Sequence, residues 1–244
     1  MKVDYSSYTN VGSRKINEDS YGIFKNNQKI GFLLCDGLGG HGMGDKASDL
    51  VKSVFENQFL SSDKLDNEFI SSFFCASQDI LLAQQKQLNA VRKMKTTAVT
   101  AVYSDKKVFL GHIGDSRIYF FRKGKIKYRT LDHSVVQLLV DSKEIDESQI
   151  RNHPERNILL SVLGTEWKDY SFEIDKSIKI KNNDALLLCS DGFWELINED
   201  EMCNALENSR NASEWLEKMA KIVFDNGKNI DMDNNTAITV RFTD

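Results

Sequence analysis

Proline is nearly missing from this chain: Pro154 is the only one in 244 residues, which excludes a proline-rich linker between domains. Histidine is scarce as well, with four in all, and this argues against a zinc hydrolase built on a histidine-rich ligand set. The four cysteines, Cys35, Cys75, Cys189 and Cys203, stand far apart, and none forms the close pair of a zinc site. Cys35 and Cys189 fall in the apolar runs IGFLLC and ALLLCS and read as small buried thiols of a reducing compartment. Charge of one sign is also lacking. Thirty-two Lys and Arg are interleaved with 36 Asp and Glu, for a net charge of -4, so no basic field is available for a nucleic-acid backbone. No apolar run approaches the roughly 18 residues needed to cross a bilayer, and the chain turns polar from Met1-Lys2 onward. A soluble, cytoplasmic, monomeric protein with no membrane or nucleic-acid partner is therefore expected.

Apolar positions recur with a period near two at residues 2–9, 19–24, 30–35, 97–103, 107–113, 117–121, 170–180, 185–190 and 236–242, which predicts a strand-rich chain. Helical spacing appears in Ala47, Leu50, Val51, Val54 and Phe55, and again in Ile70, Phe73, Phe74, Ile80 and Leu81. A third helical pattern follows Asp132, and two more fit 199–208 and 212–224. Helices grouped early and late, instead of one after every strand, predict an α+β fold. The expected form is a four-layer α-β-β-α sandwich with two central antiparallel sheets flanked by helices. With no linker, like-charge block or repeat, residues 1–244 read as one domain carrying a loop-like excursion at about 141–168.

Three apolar runs end in an acid: IGFLLC at Asp36-Gly37, LGHIG at Asp115, and ALLLCS at Asp191-Gly192. Any one of them could be a strand followed by an Asp-Gly turn. Together with Glu18-Asp19 before an early strand and Asp233-Asn234 before the last, they place carboxylates at strand ends along the whole chain. Converging carboxylates repel unless a cation sits among them, and hard oxygen ligands suit Mg²⁺ or Mn²⁺. The segment DGLGGHGMGD, with Gly37, Gly39, Gly40, Gly42 and Gly44, allows backbone to approach a metal or anion closely, but it lacks the GxxxxGK[ST] order of a nucleotide-binding loop. There is no Cys-x5-Arg loop and no GxSxG elbow, so a covalent nucleophile has no support.

The string Gly12-Ser13-Arg14-Lys15-Ile16-Asn17-Glu18-Asp19-Ser20 resembles the first signature of the protein phosphatase 2C family, the metal-dependent serine/threonine phosphatases. The likeness continues in family order through Asp36-Gly37, Thr96-Thr97, Gly114-Asp115-Ser116-Arg117, Asp132-His133-Ser134, Asn152-His153-Pro154, Leu163-Gly164, Ser190-Asp191-Gly192 and Asp233-Asn234-Asn235-Thr236. It covers residues 12 to 236 and is similar to the compact bacterial branch.

That resemblance implies hydrolysis of phosphoserine and phosphothreonine in phosphorylated proteins, opposing a serine/threonine kinase, by direct attack of a metal-bridging hydroxide. It implies Mn²⁺ or Mg²⁺ as cofactor, with two core ions and a third, weaker one. Asp36 would bridge the core ions, the Gly37 carbonyl would complete the second, and Asp191 and Asp233 would hold the first. Glu18 and Asp19 would orient water beside the pair, Arg14 would grip the phosphate, and Asp115 with Asp191 would hold the third ion. Residues 141–168 correspond to the family's mobile flap. Leu38 stands where many eukaryotic members have a histidine, Asp45 where glutamate is usual, Glu195 where some have aspartate near the third ion, and Ser161 where bacterial relatives often have arginine. His41 is near but is not assigned the missing role. Two alternatives are a regulatory phosphatase of a partner-switching pathway and a catalytically silent scaffold. The chain has little room for a docking region, and it retains Asp19, Asp36, Asp191 and Asp233.

Overall fold

The computed structural model of the protein describes residues 1–39, 42–167, 171–175 and 177–244. One antiparallel sheet runs in the order β1 (Lys2–Asn10), β11 (Asn235–Thr243), β10 (Ala185–Cys189), β6 (Arg117–Arg122), β7 (Lys125–Arg129). The other runs β2 (Asp19–Asn26), β3 (Lys29–Asp36), β4 (Ala98–Ser104), β5 (Lys107–Ile113), β8 (Glu173–Ile174), with β9 (Ile178–Lys179) also on β5. Helices α1 (Gly44–Ser61) and α2 (Asn67–Gln87) cover the second sheet. On the first sheet lie α4 (Asp191–Trp194), α5 (Glu199–Glu207) and α6 (Ala212–Gly227), while the short α3 (Val135–Asp141) follows β7.

The central strands are apolar on both faces because each face meets a different core. Along β3, Phe32 and Leu34 point between the sheets, whereas Leu33 and Cys35 point toward α1 and α2. Along β10, Leu186 and Leu188 join the same inter-sheet core, and Leu187 and Cys189 pack toward α5 and α6. The four-layer sandwich follows from this alternation. Helix starts are fixed by side chains: Asp66 accepts from the amides of Glu68 and Phe69 at α2, and Asn211 accepts from Glu214 at α6. Among the described residues no helix is long and apolar enough to cross a membrane.

Three elements differ from expectation. The edge strand β7, KIKYR, escapes the apolar pattern because its outward lysines mask the alternation. The short helix α4 begins at Asp191, directly after β10, where only a turn was expected. The stretch predicted at 170–180 forms just the two-residue strands β8 and β9, and Lys168, Asp169, Tyr170 and Lys176 lie outside the described residues. Within the excursion, Glu147–Asn152 forms a 3-10 turn, and isolated bridges join Leu159 to Ser134 and Leu163 to Thr96.

Candidate active site

The two sheets bring their acid-terminated strand ends to one side, at a cleft of about 1060 Å³ bordered by Arg14, Glu18, Asp36, Gly37, Asp115, Asp191 and Asp233. Asp19 begins β2 directly opposite Asp36 at the end of β3. Asp115 occupies the turn from β5 to β6, Asp191 the first turn of α4, and Asp233 the lead into β11. All eight residues singled out in the sequence are thus gathered at one locus, with Asp19 buried beneath the cleft. Gly40 and His41 of the glycine-rich segment lie outside the described residues.

Burial and mutual repulsion dominate the electrostatics. The Asp36 carboxyl is held well above the ordinary carboxylate range, first by desolvation and then by the charges of Asp191, Asp19 and Asp115. Asp115 and Asp191 are raised first by the same burial and then by neighbouring carboxylates. Asp19 is pushed up to about 7, mainly by burial. Its Oδ2 accepts from Ser190 Oγ at 3.0 Å, while its Oδ1 is buried without a hydrogen-bond partner. An orphaned buried carboxylate oxygen beside three mutually repelling aspartates is a donor set short of a cation, and hard divalent ions of the Mg²⁺ or Mn²⁺ type fit it.

The backbone is shaped for close approach. A β-carbon on Gly37 would fall 2.6 Å from the Glu18 carbonyl oxygen, so this position admits only glycine without displacement. Helix α1 starts at Gly44 without a side-chain cap of its own. The Glu18 carboxylate, from another part of the chain, lies against this helix start, where a β-carbon on Gly44 would fall 2.9 Å from its Oε1. Arg14 forms a two-pronged pair with Asp233, with Nε to Oδ1 at 3.0 Å and the terminal nitrogen to Oδ2 at 3.0 Å. The arginine expected to grip phosphate is therefore held on one of the expected metal ligands.

Several residues that set this geometry carry no roles in the sequence reading. Thr96 Oγ1 and the Thr97 amide both donate to the Asp36 carbonyl at 2.8 Å, and Thr97 Oγ1 lies 2.7 Å from Ser116 Oγ beside Asp115. Asn234 accepts from the Glu18 amide at 2.8 Å and donates to the carbonyls of Val11 and Ile16, stapling the Arg14 loop to β11. Trp194 donates to the Asp115 carbonyl, and Arg117, paired with Asp132 at 2.8 and 2.7 Å, stacks 3.4 Å over the Trp194 ring. The motifs containing Thr96-Thr97, Arg117 and Asp132 were the only signal of these contacts.

A second polar cluster, His112, His133 and Glu173, lies behind Asp115, with ligand-type atoms within 4.8 Å of one another. Two of its nitrogens are committed, while His112 Nδ1 is buried without a hydrogen-bond partner, 4.0 Å from Asp175 Oδ2. His112 Nε2 lies 2.8 Å from the Leu131 carbonyl and must donate to it, while His133 Nδ1 accepts from the Gly114 amide, which leaves the proton on Nε2 facing Glu173. This is a clasp between β5, β8 and the lead into α3, in which the one imidazole lone pair left without a partner, on His112 Nδ1, lies near Asp175.

The sequence profile of the family described as protein phosphatase 2C matches residues 8–235. The chain is 33% identical over 210 residues to the serine/threonine phosphatase stp of Listeria monocytogenes, covering 82% of this chain and 81% of that protein. Its fold is similar to the crystal structure of the serine/threonine phosphatase Stp1 from Staphylococcus aureus, with a TM-score of 0.87 at 27% identity, covering 100% of this chain and 96% of that one. It is likewise similar to the catalytic domain of the serine/threonine phosphatase PstP in complex with two manganese ions, with a TM-score of 0.83 at 25% identity and 99% of each chain covered. An acid-lined cleft between two antiparallel sheets, a profile match across nearly the whole chain and this closeness to bacterial relatives place the protein in the protein phosphatase 2C family, as a protein-serine/threonine phosphatase.

Proposed function

We propose that this chain is a single catalytic domain that hydrolyses phosphoserine and phosphothreonine in proteins modified by a serine/threonine kinase, using two Mn²⁺ or Mg²⁺ ions and a third, weaker one. The observation that carries the reading is the group Asp36, Asp115 and Asp191, gathered at the cleft with the buried, unpartnered Asp19 oxygen beside them. When bound, the ions would supply an ionised water at neutral pH and neutralise charge on the phosphoryl oxygens. Asp36 would hold both core ions, with the Gly37 carbonyl on the second, Asp191 and Asp233 on the first, and Asp115 with Asp191 on the third. The Glu18 carbonyl fixes the position of Gly37, accepting its amide at 3.1 Å, and joins it to α1 by accepting from Ser48 Oγ at 2.7 Å. Asp19, anchored by Ser190, has one carboxylate oxygen left over that would orient water beside the ions. Arg14, released from Asp233, would place its planar fork on two phosphoryl oxygens.

Among the described residues that line the cleft there is no cysteine or serine to form a covalent phospho-intermediate. The buried thiols of Cys35 and Cys189 are held far above their ordinary range by desolvation and are chemically inert here. Turnover of phosphoserine, phosphothreonine and phosphotyrosine peptides, measured with Mn²⁺, Mg²⁺ and chelator, tests the reading. Hydrolysis of the first two only with added metal is expected. Undiminished turnover in chelator, or a trapped phospho-enzyme, would overturn it.

A further inference from the structure

The row of carboxylates has an arginine at each end. At one end Arg14 holds Asp233. At the other, Glu195 follows directly after α4, one helical turn beyond Asp191, and accepts from Arg156 Nε at 2.6 Å. Glu195 is pushed up to about 7 by burial and then by the charge of Asp191, with Arg156 opposing both, and the same guanidinium lowers Asp191. Asp115 in turn feels Asp191 and Glu195 as like charges. Asp115, Asp191 and Glu195 thus act on one another as like charges, and the Arg156 guanidinium, bonded to Glu195, opposes the charge of Glu195 and Asp191.

Arg156 also has a structural address. It belongs to the turn in which its amide donates to the His153 carbonyl and the Ile158 amide donates to Glu155, immediately before the cleft-lining residues Asn157, Ile158, Leu159 and Leu160. Backbone bonds from Val135 to Ile158 and from Leu160 to His133 hold the far side of that wall. Only the Arg156–Glu195 pair ties the wall, among the described contacts, to the helix that presents Asp191. The neighbouring Arg151 fastens the start of the excursion to the carbonyls of Trp194 and Ile197 just past it.

We infer that Arg156 is a positioning residue acting as the built-in cation of the Asp115, Asp191 and Glu195 group, holding the 156–160 wall of the cleft against α4 while keeping a further divalent ion from binding tightly there. The inference rests on the metal-dependent phosphatase reading. Calorimetric titration of the full chain with Mn²⁺ alone, with hydrogen exchange of residues 153–160, tests it across wild type, Arg156→Met, Arg156→Lys and Glu195→Gln. Arg156→Met should gain a further Mn²⁺ site at least about tenfold tighter than the weak one of the wild type, because a cation is removed and a carboxylate freed. Its 153–160 amides should exchange faster. Arg156→Lys keeps the charge and should keep the weak site, whereas Glu195→Gln should lose exchange protection without gaining the Mn²⁺ site. That split separates electrostatic occupation from a merely structural tie. Should Arg156→Met fail to fold, Arg156→Gln carries the same test. Unchanged Mn²⁺ isotherms in the neutral variant, or the same new site in Glu195→Gln, would overturn the inference while leaving the wild type's core metal uptake intact. A wild type that takes up no Mn²⁺ would instead sink the phosphatase reading beneath it.

Discussion

Replacing Asp36 with Asn should stabilise the metal-free protein while destroying its function. In the folded chain the Asp36 carboxyl is held well above its usual range by burial and by Asp191, Asp19 and Asp115. For such a group the sign is fixed: the stability present below the unfolded value, about 3.9, is lost as pH rises toward the folded one. As pH rises the metal-free wild type therefore loses stability at this buried carboxyl, whereas an amide has no charge to gain. We expect Asp36→Asn to gain about 2 kcal/mol in chelator, which for a chain of this size is a rise in Tm of roughly 4–8 °C. The advantage should shrink as pH falls toward the ordinary carboxylate range. With Mn²⁺ at about a thousand times its Kd the wild type should gain about 4 kcal/mol, reversing the order, and the variant much less. Phosphopeptide kcat should fall by at least about 100-fold, since one neutral amide cannot offset the repulsion of two cations. Thermal unfolding with and without chelator at pH 5 and 8 reads all of this. A variant less stable than wild type in chelator at pH 8, or one that keeps the full Mn²⁺ shift, would refute the reasoning.

Arg14→Ala should lower kcat/KM for phosphopeptides by about 30- to 150-fold, the worth of one bidentate charge-assisted contact, and Arg14→Lys should recover only part. Because Arg14 holds Asp233, the alanine variant should also bind Mn²⁺ no more weakly than wild type by calorimetry; weaker binding would place Arg14 outside phosphate recognition. His112 is pushed down to about 4 by burial and then by His133. The neutral form thus favours folding, and stability is lost as pH falls from about 6.5 to 4, by at most about 1.4 kcal/mol per pH unit. Urea unfolding of metal-free wild type and His112→Gln across that window should show the steeper pH dependence in the wild type; parallel curves would contradict the shift.

Fold class was legible because it follows from strands such as IGFLLC and ALLLCS, whose unbroken hydrophobicity reports two buried faces, and from grouped helical patterns that could only cover them from outside. The strand KIKYR was not, since an edge exposes one face and its lysines look like loop residues. Acids at strand ends were legible as a class, and the resemblance supplied each one's role, because position at a strand end says where a carboxylate emerges and nothing of what it meets. Glu18 shows the limit: no local pattern reveals that its carboxylate lies against a helix beginning at Gly44.

The pairs that tune this centre join distant parts of the chain, with Arg14 and Asp233 separated by 219 residues and Arg156 and Glu195 by 39. Periodicity records which face a residue occupies, but a side chain's partner is set by how two loops arrive at the same strand ends. Both arginines touch the outer members of the carboxylate row, Asp233 and Glu195, and neither is hydrogen-bonded to Asp36, which is more deeply buried. A long guanidinium reaches a partly exposed carboxylate at modest desolvation cost, whereas burying it beside Asp36 would require stripping its water entirely. The centre is thus graded: its rim is satisfied by the chain's own cations, and its floor, where Asp19 keeps an unpartnered oxygen, is left to a small, hard ion that carries two charges without a hydrocarbon stem.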